Sequence, residues 1–340
     1  MTSKEIIKKI IHHDSPPRIG FNFDDGMHKD MVSIRSASFT HPVYDKYKEF
    51  GDYPELKERV PSFRGELRMT PDGNIYGRLD ELTKGECIRG ALQDGWELFD
   101  SYEFPSIDYE ADKIIEKRNM KASDKYVTAG LQFAVFAPLR DTRRIDNALM
   151  DVLLEPENVC AYLEKTTDLS TEAIKCAAKN GVDGIMIFDD LGMQHAPFFS
   201  KTVFIDVFKP FYRKLADAAH GHGMDFIVHS CGKVTDFIPE FIDAGVDVFQ
   251  FDQPELHDSE FLAREYGRSA AFYCPVDIQR IMPTGDRKTI EAGALRMVNA
   301  FKKHGGSLIV KDYGAWGDIG VLPEWQKWAW DTVIANAMMD

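Results

Sequence analysis

A chain of 340 residues, 44% hydrophobic and 28% charged, can bury a sizeable core, and it exceeds the roughly 250 residues that a plain eight-stranded barrel uses. With 41 Lys and Arg against 55 Asp and Glu, its formal charge of −14 repels phosphate backbones and argues against broad nucleic-acid binding. No apolar run approaches the roughly 18 residues of a membrane span, and the five scattered cysteines make no disulfide framework, so the cytoplasm is the expected compartment.

In chain order, MTSKEIIKKIIHHDSPPRIG has the apolar spacing of an amphipathic helix and stops at Pro16-Pro17. It lacks the continuous apolar stretch and small-residue cleavage site of a secretory signal. RIGFNF reads as a strand. Residues 34–118 then break the rhythm: a TPDGN turn lies between two short β-compatible runs, followed by the aromatic-rich GWELFDSYEFPSIDYE. This stretch is expected to be an inserted hairpin and cap over one end of the fold.

From about residue 120, apolar runs (YVTAGLQF, DGIMIFDD, DFIVHSCG, DVFQFDQP, SAAFYCPVD, SLIVKDYG) alternate with helical patterns, several of which end in Gly. Runs that are apolar on both faces indicate a parallel sheet covered by helices. The expectation is one (β/α)8 TIM-type barrel domain over residues 1–340. Seven strands are assigned and the eighth is left open.

Each strand ends in polar groups that a core would reject. They are Asp24-Asp25, Gln132, Asp189-Asp190, His229-Ser230-Cys231, Asp252-Gln253, Cys274 with Asp277, and Lys311-Asp312-Tyr313. In parallel α/β folds these ends share one mouth, where ligands bind. His229-x-Cys231 sets two zinc-type donors side by side, and Gly232 permits a tight turn after them. Cys274, at another strand end, is the expected third ligand. The competing reading makes both cysteines packed thiols and His229 a hydrogen-bonded strand-end residue. His12, His13 and His28 read as solvated, and His220 and His222 as helix-end residues. No GxGxxG, GxxxxGK[ST] or GxSxG pattern occurs, so nucleotide binding and a serine nucleophile have no support.

The segments DGIMIFDDLGMQ, KPFYRKLADAAHGHGMDFIVHSCGKVTDFIPEFIDAGVDVFQFDQPE and FYCPVDIQRIMPTGD resemble the uroporphyrinogen decarboxylase superfamily. They are most similar to its branch of cobalamin-dependent zinc methyltransferases. The resemblance implies zinc held by a His-x-Cys pair and a distal Cys, a separate corrinoid protein as partner, and a homodimer. His229 and Cys231 match the pair. The last strand, LIVKDYGAWGDIG, lacks the distal Cys of the coenzyme M methyltransferases, so Cys274 takes over as ligand, or an Asp or Glu does, or the metal is lost. PPRIGFNFDDG carries one Arg followed by acidic residues, which departs from the arginine motif with which the true decarboxylases grip carboxylates.

The implied activity is transfer of a methyl group from a small methoxylated or methylated compound to cobalamin on the partner, an O-demethylation. Asp189, Asp190 and Asp277 are expected to orient ligands or move protons. Asn22, Gln132, Gln194, His195, Gln253, Lys311 and Tyr313 are expected to line the substrate pocket. A carboxy-lyase acting on a small acid or tetrapyrrole, and a non-catalytic small-molecule binder, remain as alternatives.

Overall fold

The apolar runs become strands of a (β/α)8 TIM-type barrel. The computed structural model describes residues 1–41, 43–81, 83–109 and 124–339. Its barrel strands are β1 (Gly20–Asn22), β2 (Met31–Arg35), β3 (Tyr126–Gly130), β4 (Gly184–Phe188), β5 (Asp225–His229), β6 (Val248–Gln250), β7 (Ala271–Cys274) and β8 (Leu308–Lys311). They lie in the order β1-β8-β7-β6-β5-β4-β3-β2, and every pair in that sheet is parallel. The strand left open by the sequence is β2. Its five residues carry polar Ser33 and Arg35 in exposed positions, which hides the apolar signal.

Successive side chains alternate between two cores. Phe226, Val228, Phe249, Phe272 and Cys274 turn outward into the layer of covering helices. Ile227, Val248, Ala271, Tyr273 and Ile309 turn into the barrel. The N-terminal helix Ser3–Ile11, started by a Thr2/Glu5 capping box, closes the lower end with Ile6, Ile7, Ile10 and Ile11. Each such buried side chain contributes about 1.5–3 kcal/mol. Lys4 pairs with Asp183 at 2.9 Å, and His12, expected to be solvated, reaches Asp225 at 2.7 Å. Among the described residues no helix is long and apolar enough to cross a membrane.

β1 and β2 share no ladder among the described residues, and Asp30 bridges that seam. Its carboxylate accepts from Phe21 N–H (2.9 Å), Ser3 Oγ (2.7 Å) and both arms of the Arg18 guanidinium (2.8 and 2.9 Å). Its own N–H donates to the Phe21 carbonyl at 2.8 Å. Burial alone would raise the Asp30 pKa, but Arg18 and the other donors hold it below the usual range.

Between β2 and β3 the chain leaves the barrel. Glu66–Met69 and Ile75–Arg78 form the expected hairpin around TPDGN, and Glu86–Arg89 adds a third strand. The unit has its own small core, which includes Leu56, Leu67 and Ile75. It docks on the helix Phe136–Arg143 through Leu92 N–H to Thr142 O (3.0 Å) and Asn74 Nδ2 to Thr142 Oγ1 (3.2 Å). Because that helix follows β3, the sheet lies on the side of the strands' C-terminal ends. The last part of the expected insertion, 110–118, lies outside the described residues.

Two stability measurements follow from these contacts. Asp30→Ala leaves Arg18 and the Phe21 N–H without their acceptor, and it should lower the urea-unfolding free energy by about 3–5 kcal/mol. Asp312, after β8, accepts from Asp24 N–H (2.6 Å) and Trp330 Nε1 (2.5 Å). Its burial, with Asp24 and Asp25 adding repulsion, outweighs these donors and pushes its pKa up to about 6. Between roughly pH 4 and that value the folded chain keeps a proton that the unfolded chain has released, so stability falls as pH rises through the window. Asp312→Asn should flatten this part of the profile in urea titrations at pH 4 to 7.

Candidate metal centre

The inward and outward alternation of the strands continues into their C-terminal ends and sorts the polar residues there. On β5, His229 points into the barrel, and two residues on, Cys231 does the same. On β4, Phe188 points inward, Asp189 outward and Asp190 inward. Asp190, His229 and Cys231 therefore converge, with one ligand atom from each lying within 4.8 Å of the others. His229 Nε2 is 3.3 Å from Asp190 Oδ1 and 3.5 Å from Cys231 Sγ.

The two loops that carry these donors are zipped together. Asp190 Oδ1 accepts the Cys231 N–H at 2.9 Å, Gly192 N–H donates to Cys231 O at 3.2 Å, and Lys233 N–H donates to Met193 O at 2.8 Å. Gly232 sits at φ +74°, and a Cβ there would lie 2.1 Å from the Gly192 carbonyl oxygen, so only glycine fits.

The three groups are electrostatically coupled. Burial would lower the pKa of His229, yet its contacts with Asp190 and Cys231 raise it to about 10. Asp190, opposed by burial, is held at about 2 by His229 and the Cys231 N–H. Burial first, and Asp190 second, raise the Cys231 thiol. A divalent ion bound here would displace the His229 proton and take over the positive charge beside the carboxylate and the sulfur.

Cys274, expected as third ligand, is turned away from the cluster by the same alternation. Tyr273 takes the inward position on β7, so Cys274 faces the helix layer beside Phe272, fully buried, with its thiol pushed up to about 12 by burial. The residue that stands with His229 and Cys231 is Asp190.

Asp189 and Asp277 do not join the cluster either. Asp189 accepts the N–H groups of Val135 (3.0 Å), Phe136 (2.9 Å) and Ala137 (2.6 Å) and the Tyr212 hydroxyl, which anchors the start of the helix Phe136–Arg143. Asp277 accepts the N–H groups of Glu255 (3.0 Å), Gln279 (2.9 Å) and Arg280 (2.6 Å) and shapes the loop after β7.

The residues expected to line the pocket are spread around the mouth. The Asn22 amide donates to the Tyr273 hydroxyl, and Gln253 Oε1 accepts the Gly232 N–H at 3.1 Å. Lys311 is committed to Asp252 at 2.9 Å. Gln194 is exposed and pairs with Gln279, while His195 and Gln132 are exposed on the rim. Burial first, and Asp252 second, raise the pKa of Tyr313, which borders a cavity of about 910 Å³ beneath the three-stranded sheet, lined also by Phe63, Leu79 and Ile88.

Three residues at the mouth escaped the sequence reading: Gln250, Tyr273 and Phe188. Gln250 is a lone amide in an apolar strand, two residues from the inward Val248, and that spacing was the available signal. Phe188 is 51% exposed, with its ring 5.6 Å from the His229 imidazole, so an apolar wall stands beside the donors.

Fold and site define a class: a (β/α)8 barrel with a nitrogen, sulfur and oxygen donor cluster at the C-terminal mouth. The chain belongs to the uroporphyrinogen decarboxylase (URO-D) family, whose model matches residues 98–311, more than half of its length. Among solved structures, a methyltransferase from Methanosarcina mazei superposes with a TM-score of 0.64 at 13% identity, covering 98% of this chain and 99% of that one. At that identity the likeness shows the shared fold. The YdhT protein from Bacillus subtilis (TM-score 0.43, 10% identity, 93% and 87% coverage) and a D-psicose 3-epimerase (0.39, 12%, 71% and 85%) are too distant in backbone to argue from. No curated protein matches the chain.

The donor assignment is checked by zinc content per chain. Asp190→Ala, His229→Ala and Cys231→Ala should each lose most of the metal, whereas Cys274→Ala should keep it.

Proposed function

We propose that this chain is a zinc-dependent methyltransferase that takes a methyl group from a small methoxylated or methylated compound and passes it to a corrinoid protein. The observation that carries the reading is the convergence of Asp190, His229 and Cys231 at the barrel mouth. Family membership agrees with it, as does the full-length fold likeness to the Methanosarcina mazei methyltransferase.

The residues fit the metal. Imidazole nitrogen, thiolate sulfur and carboxylate oxygen are all zinc ligands, and three protein donors leave a fourth position for substrate. When bound there, zinc supplies Lewis-acid polarisation of the methyl-bearing heteroatom. His229, Cys231 and Asp190 hold the site, and Asp190 also fixes the turn that carries Cys231. Phe188 offers an apolar face to the substrate beside the donors and keeps water away from that side. Asn22, Gln253 and Tyr313 would meet its polar groups. Gln132, Gln194 and His195, on the exposed rim, would meet its outer end or the docked partner. The methyl group would pass to super-reduced Co(I) cobalamin carried by that partner over the mouth, and the electron pair of the cobalt would form the new Co–C bond. The heteroatom would leave with the bonding pair and then take a proton.

A decarboxylase reading has less support, because Arg18, the arginine of PPRIGF, is bound to Asp30 at the opposite end of β1. The test is zinc analysis together with methylation of corrinoid proteins from methoxylated donors. Near-stoichiometric zinc and methyl transfer abolished by chelation are expected. A reconstituted protein without zinc, or carbon dioxide released from a small acid by an active His229→Ala variant, would overturn the proposal.

A further inference from the structure

We infer that Gln250, with Asp252 and Lys311 behind it, is a positioning residue that dictates which nitrogen of His229 faces the metal. The inference rests on the metal-site reading above and adds to it a hydrogen-bond chain of fixed direction. Lys311 Nζ lies 2.9 Å from Asp252 Oδ1, Gln250 Nε2 lies 2.7 Å from the same oxygen, and Gln250 Oε1 lies 2.5 Å from His229 Nδ1.

The direction follows from what each group is able to do. An ammonium only donates and a carboxylate only accepts, so Lys311 holds Asp252 as an acceptor. An isolated amide could be placed either way round. Here Asp252 accepts only from the NH2 end of Gln250, which leaves the carbonyl end for His229. Nδ1 of His229 must then carry hydrogen, and Nε2 is the nitrogen left for a metal. Nε2 is also the atom that lies near Asp190 and Cys231.

The fold supports this arrangement. His229 and Gln250 are register partners on β5 and β6, and Gln250 and Asp252 share the inward face. Gln250 is 1% exposed and Asp252 7%, so bulk water has little access to either partner. A partly buried Lys–Asp pair adds little to stability once its desolvation is counted. Stability therefore does not explain why the pair is there, whereas orientation of a ligand does.

The experiment compares the parent with Gln250→Leu and with the exchanged pair Gln250→Glu/Asp252→Asn, in which an acceptor still faces His229. Zinc affinity is measured by competition with a chromophoric chelator, and the His229 ring nitrogens are read by 15N NMR with and without zinc. Thermal unfolding of the metal-free proteins checks that each is folded. The expected results are a parent with Nε2 bound to zinc and a slowly exchanging Nδ1–H, zinc binding about 10–100-fold weaker in Gln250→Leu with that proton no longer protected, and substantial recovery in the exchanged pair.

Unchanged affinity and an unchanged Nδ1–H signal in folded Gln250→Leu would overturn the inference. So would coordination through Nδ1 in the parent. If the parent binds no zinc, the metal reading fails alone, because the Nδ1–H signal of the metal-free proteins still decides the role of Gln250. Protection in the parent and its loss in Gln250→Leu would uphold the positioning role, and equal protection in both would overturn it.

Discussion

Side chains on consecutive strand residues point to opposite faces, and the candidate site is a consequence of that alternation continued past the strand ends. Phe188, Asp190, His229, Cys231, Gln250, Asp252, Tyr273 and Lys311 have the inward phase. Asp189, Cys274 and Asp312 have the outward phase and are spent on fastening strands to helices. A neighbour in sequence is thus a stranger in function: Asp189 holds a helix in place while Asp190 completes a donor cluster. A slip of one residue in a strand would exchange the two sets.

Holding that phase requires a closed barrel, and closure is achieved with unlike devices at different places. Seven strand pairs use ordinary parallel ladders. The eighth junction uses Asp30, whose carboxylate and N–H replace a ladder between β1 and β2. Below, four isoleucines of the first helix fill the barrel, and Lys4 and His12 reach Asp183 and Asp225 at its edge. Several acidic residues of this strongly negative chain are consumed in such structural pairs and caps. Their abundance is therefore a poor guide to which of them take part in chemistry.

The donor cluster has a mixed character. His229 and Cys231 come from one strand end, two residues apart, and Asp190 comes from the neighbouring one. Their mutual electrostatics favour a positive charge beside the Asp190 carboxylate, and the polar chain behind His229 runs in a single direction from Lys311 to the ring. At the last strand this chain has Lys311 tied to Asp252, while the Asp190 carboxylate stands 3.3 Å from Nε2 on His229.

The sequence by itself determined the strand–helix alternation, the common polar mouth, the TPDGN hairpin and the His229–Cys231 pair. These are local properties, written in periodicity, turn chemistry and a spacing of two residues. It did not reveal β2, whose exposed Ser33 and Arg35 interrupt the apolar pattern. Nor did it reveal which way Cys274 faces, because a parallel strand buried on both sides, such as AFYC, is apolar in either phase. The choice of Asp190 over Cys274, the seam at Asp30 and the route from Lys311 to His229 belong to the tertiary structure alone. Each depends on the register between strands far apart in the chain, and that register is fixed by the summed packing of the whole barrel and not by any segment within it.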